Sequence, residues 1–320
     1  MKAIVSTSAN PFHYGHLDIF NKAKQIFDDV HVVIAQNPNK TNTQNLQFHL
    51  NAYNIPYVII NEQTVADYCA ENKITHIVRG IRNGVDAEYE LKLDFANKEI
   101  NPNIQTVFIP TNDIYSNISS STIRELLKYK KYDIVKKYMD EDAMWRYVHQ
   151  KPLYTVYFGQ SCVGKTSYLS SKGDTSLDVD HYIWDVLESY VNKEAVKRYK
   201  DDVKRIVYSN WTIDDKKNHL YSWFNIILTE QFWDRFFDPK NMYKVDCLKE
   251  RNNLDWAAVG SYYDIIPIKY RSQCEFIELT CNELERRERI KRREFVDKVS
   301  KLDELYVKPK IVDKSIDITK

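Results

Sequence analysis

Five short runs of apolar and β-branched residues dominate the first third of this chain: KAIVS at 2–6, HVVIAQ at 31–36, YVII at 57–60, HIVRG at 76–80 and QTVFIP at 105–110. Each is separated from the next by a helical or loop stretch, and that alternation predicts an α/β domain with a parallel sheet. Between the first two runs, Leu17, Phe20, Ala23 and Phe27 recur every three to four residues and place an apolar stripe on one helix face, which covers the sheet. After the fifth run, ELLKYKKYDIVKKYM at 125–139 reads as one closing amphipathic helix with a solvated basic face. Gln150, Lys151 and Pro152 break the pattern and LYTVYF then opens a new strand, so the boundary is placed to give domains 1–149 and 150–320. Residues 185–255 read as mostly helical and carry no motif tied to chemistry.

Composition narrows the function. With 43% hydrophobic and 28% charged residues the chain is an ordinary globular one. No apolar run reaches about 18 residues and no leader precedes the first strand, so neither membrane nor secretion is expected. A net charge of +1 provides no overall field for nucleic acid, and any anion site must be local. The five cysteines are odd in number and lack a C-x-x-C spacing, which fits a reducing cytoplasm better than zinc or disulfides.

Two local anion sites are legible. The first is SANPFHYGH at 8–16, joining the first strand to the first helix with Gly15 and His16 at the helix start. Exposed backbone N–H groups and the helix dipole attract phosphate there, and an imidazole can donate to an oxygen gaining charge. Alone, H-x-G-H also describes a turn glycine between two surface histidines. Downstream, IVRGIRNGVDAEYELKLDFANKEI and YSNISSSTIREL put arginines, carboxylates and a serine-rich helix start at strand ends, where open α/β sheets bind ligands.

In these ordered blocks, over about residues 2–135, the chain resembles the bacterial phosphopantetheine adenylyltransferases of the H-x-G-H nucleotidyltransferase superfamily. The resemblance implies a Rossmann-like nucleotidyltransferase domain. It assigns Ser8, Gly15 and His16 to the phosphate turn, with His16 stabilising the transition state. Lys40 matches the lysine on the transferred phosphate. Arg79 and Arg82 match the arginines holding acceptor and pyrophosphate, and Glu90, Ser119, Ser120 and Ser121 match nucleotide-binding positions. Asp86 and Asn97 also fall on family positions, on the substrate side. The reaction implied is in-line attack of an acceptor phosphate on the α-phosphorus of ATP, which calls for positive charge and positioning rather than a strong base. Read as residues alone, Arg79 and Arg82 also fit, as the lesser alternative, surface ion-pair partners beside Asp86 and Glu88, and the serine run an N-cap that is compatible with ligand binding. The family has Gly, Thr, Phe and Asp where this chain has Thr7, Ser8, Ala9 and Asn10; Ala9 removes an aromatic wall and Asn10 a charge.

The second site is LYTVYFGQSCVGKTSYL, a strand, a loop fitting G-x-x-x-x-G-K-[ST] at Gly159, Gly164, Lys165 and Thr166, and a helix. Such a loop wraps a β-phosphate, its lysine reaches the β and γ oxygens, and its threonine hydroxyl ligates Mg²⁺. Cys162 reads as a small filler. Asp178 and Asp180 then sit at a strand end, where a carboxylate orients an acceptor hydroxyl or caps the next helix. Further on, Arg286, Arg287, Arg289, Arg292 and Arg293 crowd one helix, either as a phosphate lid or as a solvated face paired with Glu283, Glu285, Glu288 and Glu294. With the DKSIDIT strand, this order resembles dephospho-coenzyme A kinase, and the two domains together resemble bifunctional coenzyme A synthases.

That second resemblance implies a P-loop NTPase-fold α/β kinase domain with catalytic Lys165 and Asp180, nucleotide contacts from Gly159, Gly164, Thr166, Arg286 and Arg289, and metal at Thr166. The substrates implied are ATP, 4′-phosphopantetheine and dephospho-coenzyme A, with Mg²⁺. Enzymes like the first domain often assemble into homo-oligomers, although fused forms need not. Two rivals remain at this level: a nicotinamide-mononucleotide adenylyltransferase fused to a ribosylnicotinamide kinase, and a nucleotide-sensing protein that binds without turnover.

Overall fold

The computed structural model describes residues 1–35, 46–150, 152–159, 164–171, 177–237, 254–258, 266–291 and 311–319. It divides into two compact units, Met1–Lys151 and Pro152–Lys320.

In the first unit, strands β1 (Lys2–Thr7), β2 (Asp29–Ala35), β3 (Tyr57–Ile60), β4 (His76–Ile81) and β5 (Gln105–Pro110) form one sheet in the order β3-β2-β1-β4-β5. Every adjacent pair is parallel. All five runs seen in the sequence are therefore strands of one Rossmann-like sheet. In the central strands β1, β2 and β4 the near-continuous hydrophobicity reflects burial on both faces, while the edge strands β3 and β5 are largely half-buried. Ala3 and Val5 of β1 join a core with Phe12, Phe20, Ala23 and Val32. Ile4 points to the opposite face, into a core with Val33, Ala66, Cys69, Ile77 and Ile104. The crossovers are α1 (Tyr14–Ile26), α2 (Leu46–Leu50) with a 3₁₀ turn Asn51–Tyr53, α3 (Val65–Glu71) and α4 (Gly84–Ile100). On α1, Phe20 and Ala23 are buried and Ile19 joins them, while Phe27 is buried just beyond the helix end.

The expected single closing helix is instead two. Helix α5 (Ser120–Lys128) stops where Lys130 adopts a left-handed φ of 56°. Its last carbonyls are closed by Lys130 N–H to Leu127 O and Lys131 N–H to Leu126 O, both 2.9 Å, a Schellman pattern that cannot continue as helix. After the short α6 (Tyr132–Val135), a further helix α7 (Glu141–His149) starts at an Asp140 cap, whose side chain accepts from Ala143 N–H at 3.2 Å.

In the second unit, β6 (Tyr154–Phe158), β7 (Leu177–Asp178), β8 (Leu254–Ala258), β9 (Cys274–Thr280) and β10 (Lys314–Asp317) form a smaller, wholly parallel sheet in the order β10-β9-β6-β8-β7. Helix α8 (Lys165–Ser171) follows β6, and α9 (Val179–Glu188), α10 (Lys193–Tyr208), α11 (Ile213–Ile227) and α12 (Glu230–Phe236) occupy most of the tract read as helical. No described helix is long and apolar enough to cross a membrane.

Candidate active site

The strand order reverses between β1 and β4, and open α/β sheets bind ligands outside the carboxyl ends of strands at such a point. A cleft of about 320 Å³ lies there. It is lined by the ends of β1, β4 and β5, the start of α1 and the start of α5. Ser8, Gly15, His16, Arg79, Arg82, Asp86, Glu90 and Ser119 to Ser121 all face it. Residues drawn from positions 8 to 121 of the sequence thus share one site.

Its floor is the turn between β1 and α1. His13 caps α1: its Nδ1 accepts from Gly15 N–H at 3.1 Å, and its own N–H donates to His16 Nδ1 at 3.2 Å. Since both Nδ1 atoms accept, each neutral ring carries its proton on Nε2. Burial, with the Arg82 charge, lowers His13 to a pKa of about 4. Burial, His13, Arg82, Arg79 and His49 in that order hold His16 well below the ordinary histidine value. Both imidazoles are neutral at pH 7 and act as Nε2–H donors. Their rings lie 3.8 Å apart between centroids. Gly15 permits this closeness, since a Cβ there would come within 2.9 Å of His13 Cε1.

One expectation fails at the helix start. The first N–H groups of α1 are not left open for phosphate: Tyr14 N–H donates to Tyr138 O at 2.8 Å, Gly15 N–H to His13 and His16 N–H to His13 O at 2.9 Å. The helix offers its dipole and two imidazoles in place of bare amides.

The arginines are held by carboxylates. Arg79 makes a bidentate pair with Glu90 (Nε–Oε2 2.5 Å, Nη2–Oε1 2.7 Å) and donates through Nη1 to Ser6 O at 2.5 Å. Arg82 pairs with Asp86 (2.6 and 3.0 Å) and donates to Ile118 O at 2.9 Å. Each guanidinium keeps two of its five N–H donors for a ligand. Asp86 therefore orients Arg82 and Glu90 orients Arg79, whereas Glu88 pairs with Lys92 instead. Ser119 caps α5, accepting from Thr122 N–H at 3.1 Å; Ser120 donates to Pro11 O at 2.9 Å, and Ser121 accepts from Arg124 at 3.0 Å.

Ala9 and Asn10 do not line the cleft. Ala9 is fully buried in the core, so no ligand wall is lost there, and Asn10 points away. Asn10 Oδ1 accepts from Tyr147 of α7 at 2.7 Å, and its carbonyl accepts from Arg124. The same turn is gripped by Tyr53, donating to Phe12 O at 3.0 Å, and by the buried His49, whose Nε2 accepts from Phe12 N–H at 3.1 Å. Burial holds His49 down at about 3. None of Tyr53, His49, Arg124 and Tyr147 was marked by spacing, because each acts from a separate element. Tyr89, Thr111 and Tyr115 also line the cleft. Asn97 does not: it lines a smaller adjoining cavity of about 80 Å³ that shares Ser6, Arg79 and Glu90 with the cleft. Lys40 lies outside the described residues.

In the second unit, Lys165 Nζ donates to Gly159 O at 2.9 Å. Gly164 has φ of 109°, and a Cβ there would meet Arg289 Nη1 at 2.6 Å, so Arg289 sits against the end of the glycine loop. Arg286 is buried. Arg286 and Arg287 pair with Glu283, and Arg289 with Glu285, within the helix Glu283–Lys291. The side chains of Thr166 and Asp180, and residues 160–163, lie outside the described residues.

A fold of this kind with this cleft defines a nucleotidyltransferase domain, and a cytidylyltransferase-like family model matches residues 4–126. A phosphopantetheine adenylyltransferase of Staphylococcus carnosus (strain TM300) is 35% identical over 136 residues, covering 40% of this chain and 84% of that protein. The namesake enzyme of Staphylococcus haemolyticus (strain JCSC1435) is 34% identical with the same coverage. Through this domain the chain belongs to the phosphopantetheine adenylyltransferase family. The crystal structure of NadR protein in complex with NR aligns with 99% of this chain and 88% of that one at 12% identity, and its TM-score of 0.32 carries no argument.

Proposed function

We propose that residues 1–149 transfer the adenylyl group of ATP to 4′-phosphopantetheine, releasing pyrophosphate and giving dephospho-coenzyme A. The observation that carries this reading is the pair of neutral imidazoles at the amino end of α1, flanked by two carboxylate-oriented arginines in one cleft. In it, His16 Nε2–H donates to an α-phosphate oxygen as charge builds there, and Ser8 and the start of α5 contact the nucleotide. The remaining N–H donors of Arg82 and Arg79 hold pyrophosphate and acceptor, and Lys40 bridges the transferred phosphate. The acceptor phosphate is already ionised, so no general base is needed, and the oxygen–phosphorus bond to pyrophosphate breaks as the new one forms. Asp86 and Glu90 are committed to arginines; Mg²⁺ is expected to enter with the triphosphate and shield its charge.

We further propose that residues 150–320 are a P-loop kinase for the 3′-hydroxyl of dephospho-coenzyme A. Gly159, Gly164 and Lys165 would hold ATP, Thr166 the Mg²⁺, Asp180 the hydroxyl, and Arg286 and Arg289 the moving phosphoryl group. What supports it is the strand–loop–helix around Lys165 and the placement of Arg289 against Gly164. We place the protein in the cytoplasm, free or as a homo-oligomer.

Incubation with ATP and 4′-phosphopantetheine, following pyrophosphate, tests the first step. Release is expected; its absence, with and without Mg²⁺, ends the reading. Nicotinamide mononucleotide as acceptor tests the rival, and ATP binding without product from either would mark a sensor. Dephospho-coenzyme A and ATP test the second step.

A further inference from the structure

The peptide group joining Phe12 to His13 is bonded at both ends. Its N–H, that of His13, donates to His16 Nδ1 at 3.2 Å, and its carbonyl, that of Phe12, accepts from the Tyr53 hydroxyl at 3.0 Å. The two bonds share one planar amide, so whatever fixes the carbonyl also aims the N–H. They run in one direction: Tyr53 donates to the carbonyl, the amide donates to the imidazole, and the imidazole has its Nε2–H left to give. Tyr53 itself does not line the cleft and has no part in the reaction as derived.

Its surroundings hold it to that bond. Tyr53 ends the 3₁₀ turn after α2 and packs against the core that contains Phe12. Its ring meets Phe12 edge-on at 4.9 Å between centroids, and Phe12 in turn lies 5.2 Å from the His16 ring. The preceding amide is pinned as well, because Phe12 N–H donates to the buried His49. Burial above all raises the Tyr53 hydroxyl well above its ordinary value, against an opposing backbone bond from Asp140, so the phenol keeps its proton and remains a donor at neutral pH.

Hydrogen bonds in series polarise one another, by about 10–30% per bond. Donation to the Phe12 carbonyl makes the His13 N–H a stronger donor. A stronger bond at His16 Nδ1 draws density from the ring and makes its Nε2–H the stronger donor in turn.

We infer that Tyr53 is a positioning residue for the transfer: through the Phe12–His13 peptide it aims and polarises His16, so that the Nε2–H meets the phosphate oxygen on which charge develops. The inference rests on the adenylyl-transfer reading for what His16 faces. It adds a group outside the cleft, on the turn after α2, that acts on the rate and not on substrate affinity.

The test uses the full chain with ATP and 4′-phosphopantetheine. Tyr53→Phe keeps the ring and removes the O–H; it should lower kcat about 10-fold with both KM values within about 2-fold of wild type, since a bond that strengthens with developing charge acts on the transition state. Removing a direct donor to such an oxygen costs about 100- to 1,000-fold, and Tyr53 acts at one remove. In the His16→Ala background the same change should cost less than about 2-fold, because the path ends at the missing ring. In magnetic resonance spectra of the free protein with isotope-labelled histidine, the His13 amide proton should move upfield in Tyr53→Phe as its bond to His16 weakens. An equal loss of kcat in both backgrounds, a raised KM with kcat unmoved, or an unchanged kcat with a lower melting temperature assigns Tyr53 a merely structural role and overturns the inference; in each case wild-type turnover leaves the proposed function standing. Should Tyr53→Phe fail to fold, a fluorinated tyrosine at position 53 decides: its more acidic hydroxyl should move the His13 amide proton downfield and hold kcat at or above the wild-type value, and an unmoved proton overturns the inference. If the wild type binds ATP and releases no pyrophosphate with phosphopantetheine, the proposed function falls and the inference with it.

Discussion

Acidification should loosen the first domain through histidines that fold into it without their protons. His13 and His49 have pKa values of about 4 and about 3 in the folded chain against an ordinary 6.5. The unfolded chain therefore binds protons at both from pH 6.5 downward, and the folded chain does not until pH falls past 4 and then 3. Stability rises with pH wherever the unfolded state holds more protons, so this contribution is complete above pH 6.5 and is lost as the pH drops below it. Each histidine costs about 1.4 kcal/mol per unit in that window, which comes to about 2 kcal/mol each between pH 7 and pH 5, about 4 kcal/mol for the two. His16, shifted in the same direction, adds to it. Carboxylates titrate too, so the decisive comparison is with His49→Gln, which can still accept from Phe12 N–H but has no proton to gain. Its loss over the same interval should be smaller by about 2 kcal/mol. Urea-dependent peroxide oxidation of Met139 and Met144, both fully buried in this domain, reports its opening alone, and a thioether has no proton whose loss would confuse the pH series. Equal losses in the wild type and His49→Gln would refute the argument, because the buried ring would then be titrating as freely folded as unfolded.

Three further outcomes follow from the same geometry. Glu90→Gln removes the charge that orients Arg79 and should destabilise the first domain by about 1–3 kcal/mol in the methionine assay, with a weaker hold on the acceptor read as a higher KM. Gly15→Ala forces a Cβ against the His13 ring, so it should lower kcat by at least about 10-fold, as the cap that fixes the His16 tautomer is pushed aside, while far-ultraviolet dichroism stays unchanged. His16→Ala should cut pyrophosphate release roughly 100-fold or more and spare phosphorylation of dephospho-coenzyme A, with Lys165→Ala doing the reverse; loss of both reactions in either variant would contradict two separate sites.

Much of the first domain was readable because parallel strands write themselves as short apolar runs, most continuously where both faces are buried, and all five runs coincide with strands. The cleft residues were readable chiefly through the family resemblance, with the arginines of β4 and the serine-rich start of α5 also marked by their place after strands, whereas Asp86 and Glu90 lie on α4. Reading failed where the cause was not periodic. Nothing in KYKKYD marks Lys130 as left-handed, since lysine has no preference for that conformation; the helix ends there through backbone bonds that side-chain pattern does not reveal. Open amides at the start of α1 were the natural expectation from dipole arguments, and they are consumed by His13 and Tyr138, the latter more than a hundred residues away. Asn97 fell on a site position but into the side cavity, because one helix, α4, borders both spaces and spacing alone cannot separate them. Ala9 and Asn10 looked like losses from a ligand wall only because sequence cannot say which way a turn faces.

The grip on residues 10–12 sets a limit on how this protein can be cut or made in pieces. Arg124 and Ser120 reach back from α5, and Tyr147 crosses 137 positions to meet Asn10, while its neighbour Arg146, almost wholly enclosed, ties α7 to the Phe48 carbonyl at 3.0 Å. A fragment trimmed to the family-matched span, 4–126, would keep every residue that lines the cleft, along with His49, Tyr53, Ser120 and Arg124, yet lose the Tyr138 carbonyl and the α7 contacts of Arg146 and Tyr147. During translation, the turn beneath the cleft likewise lacks its bonds to Tyr138 and Tyr147 until the ribosome has released the chain past α7.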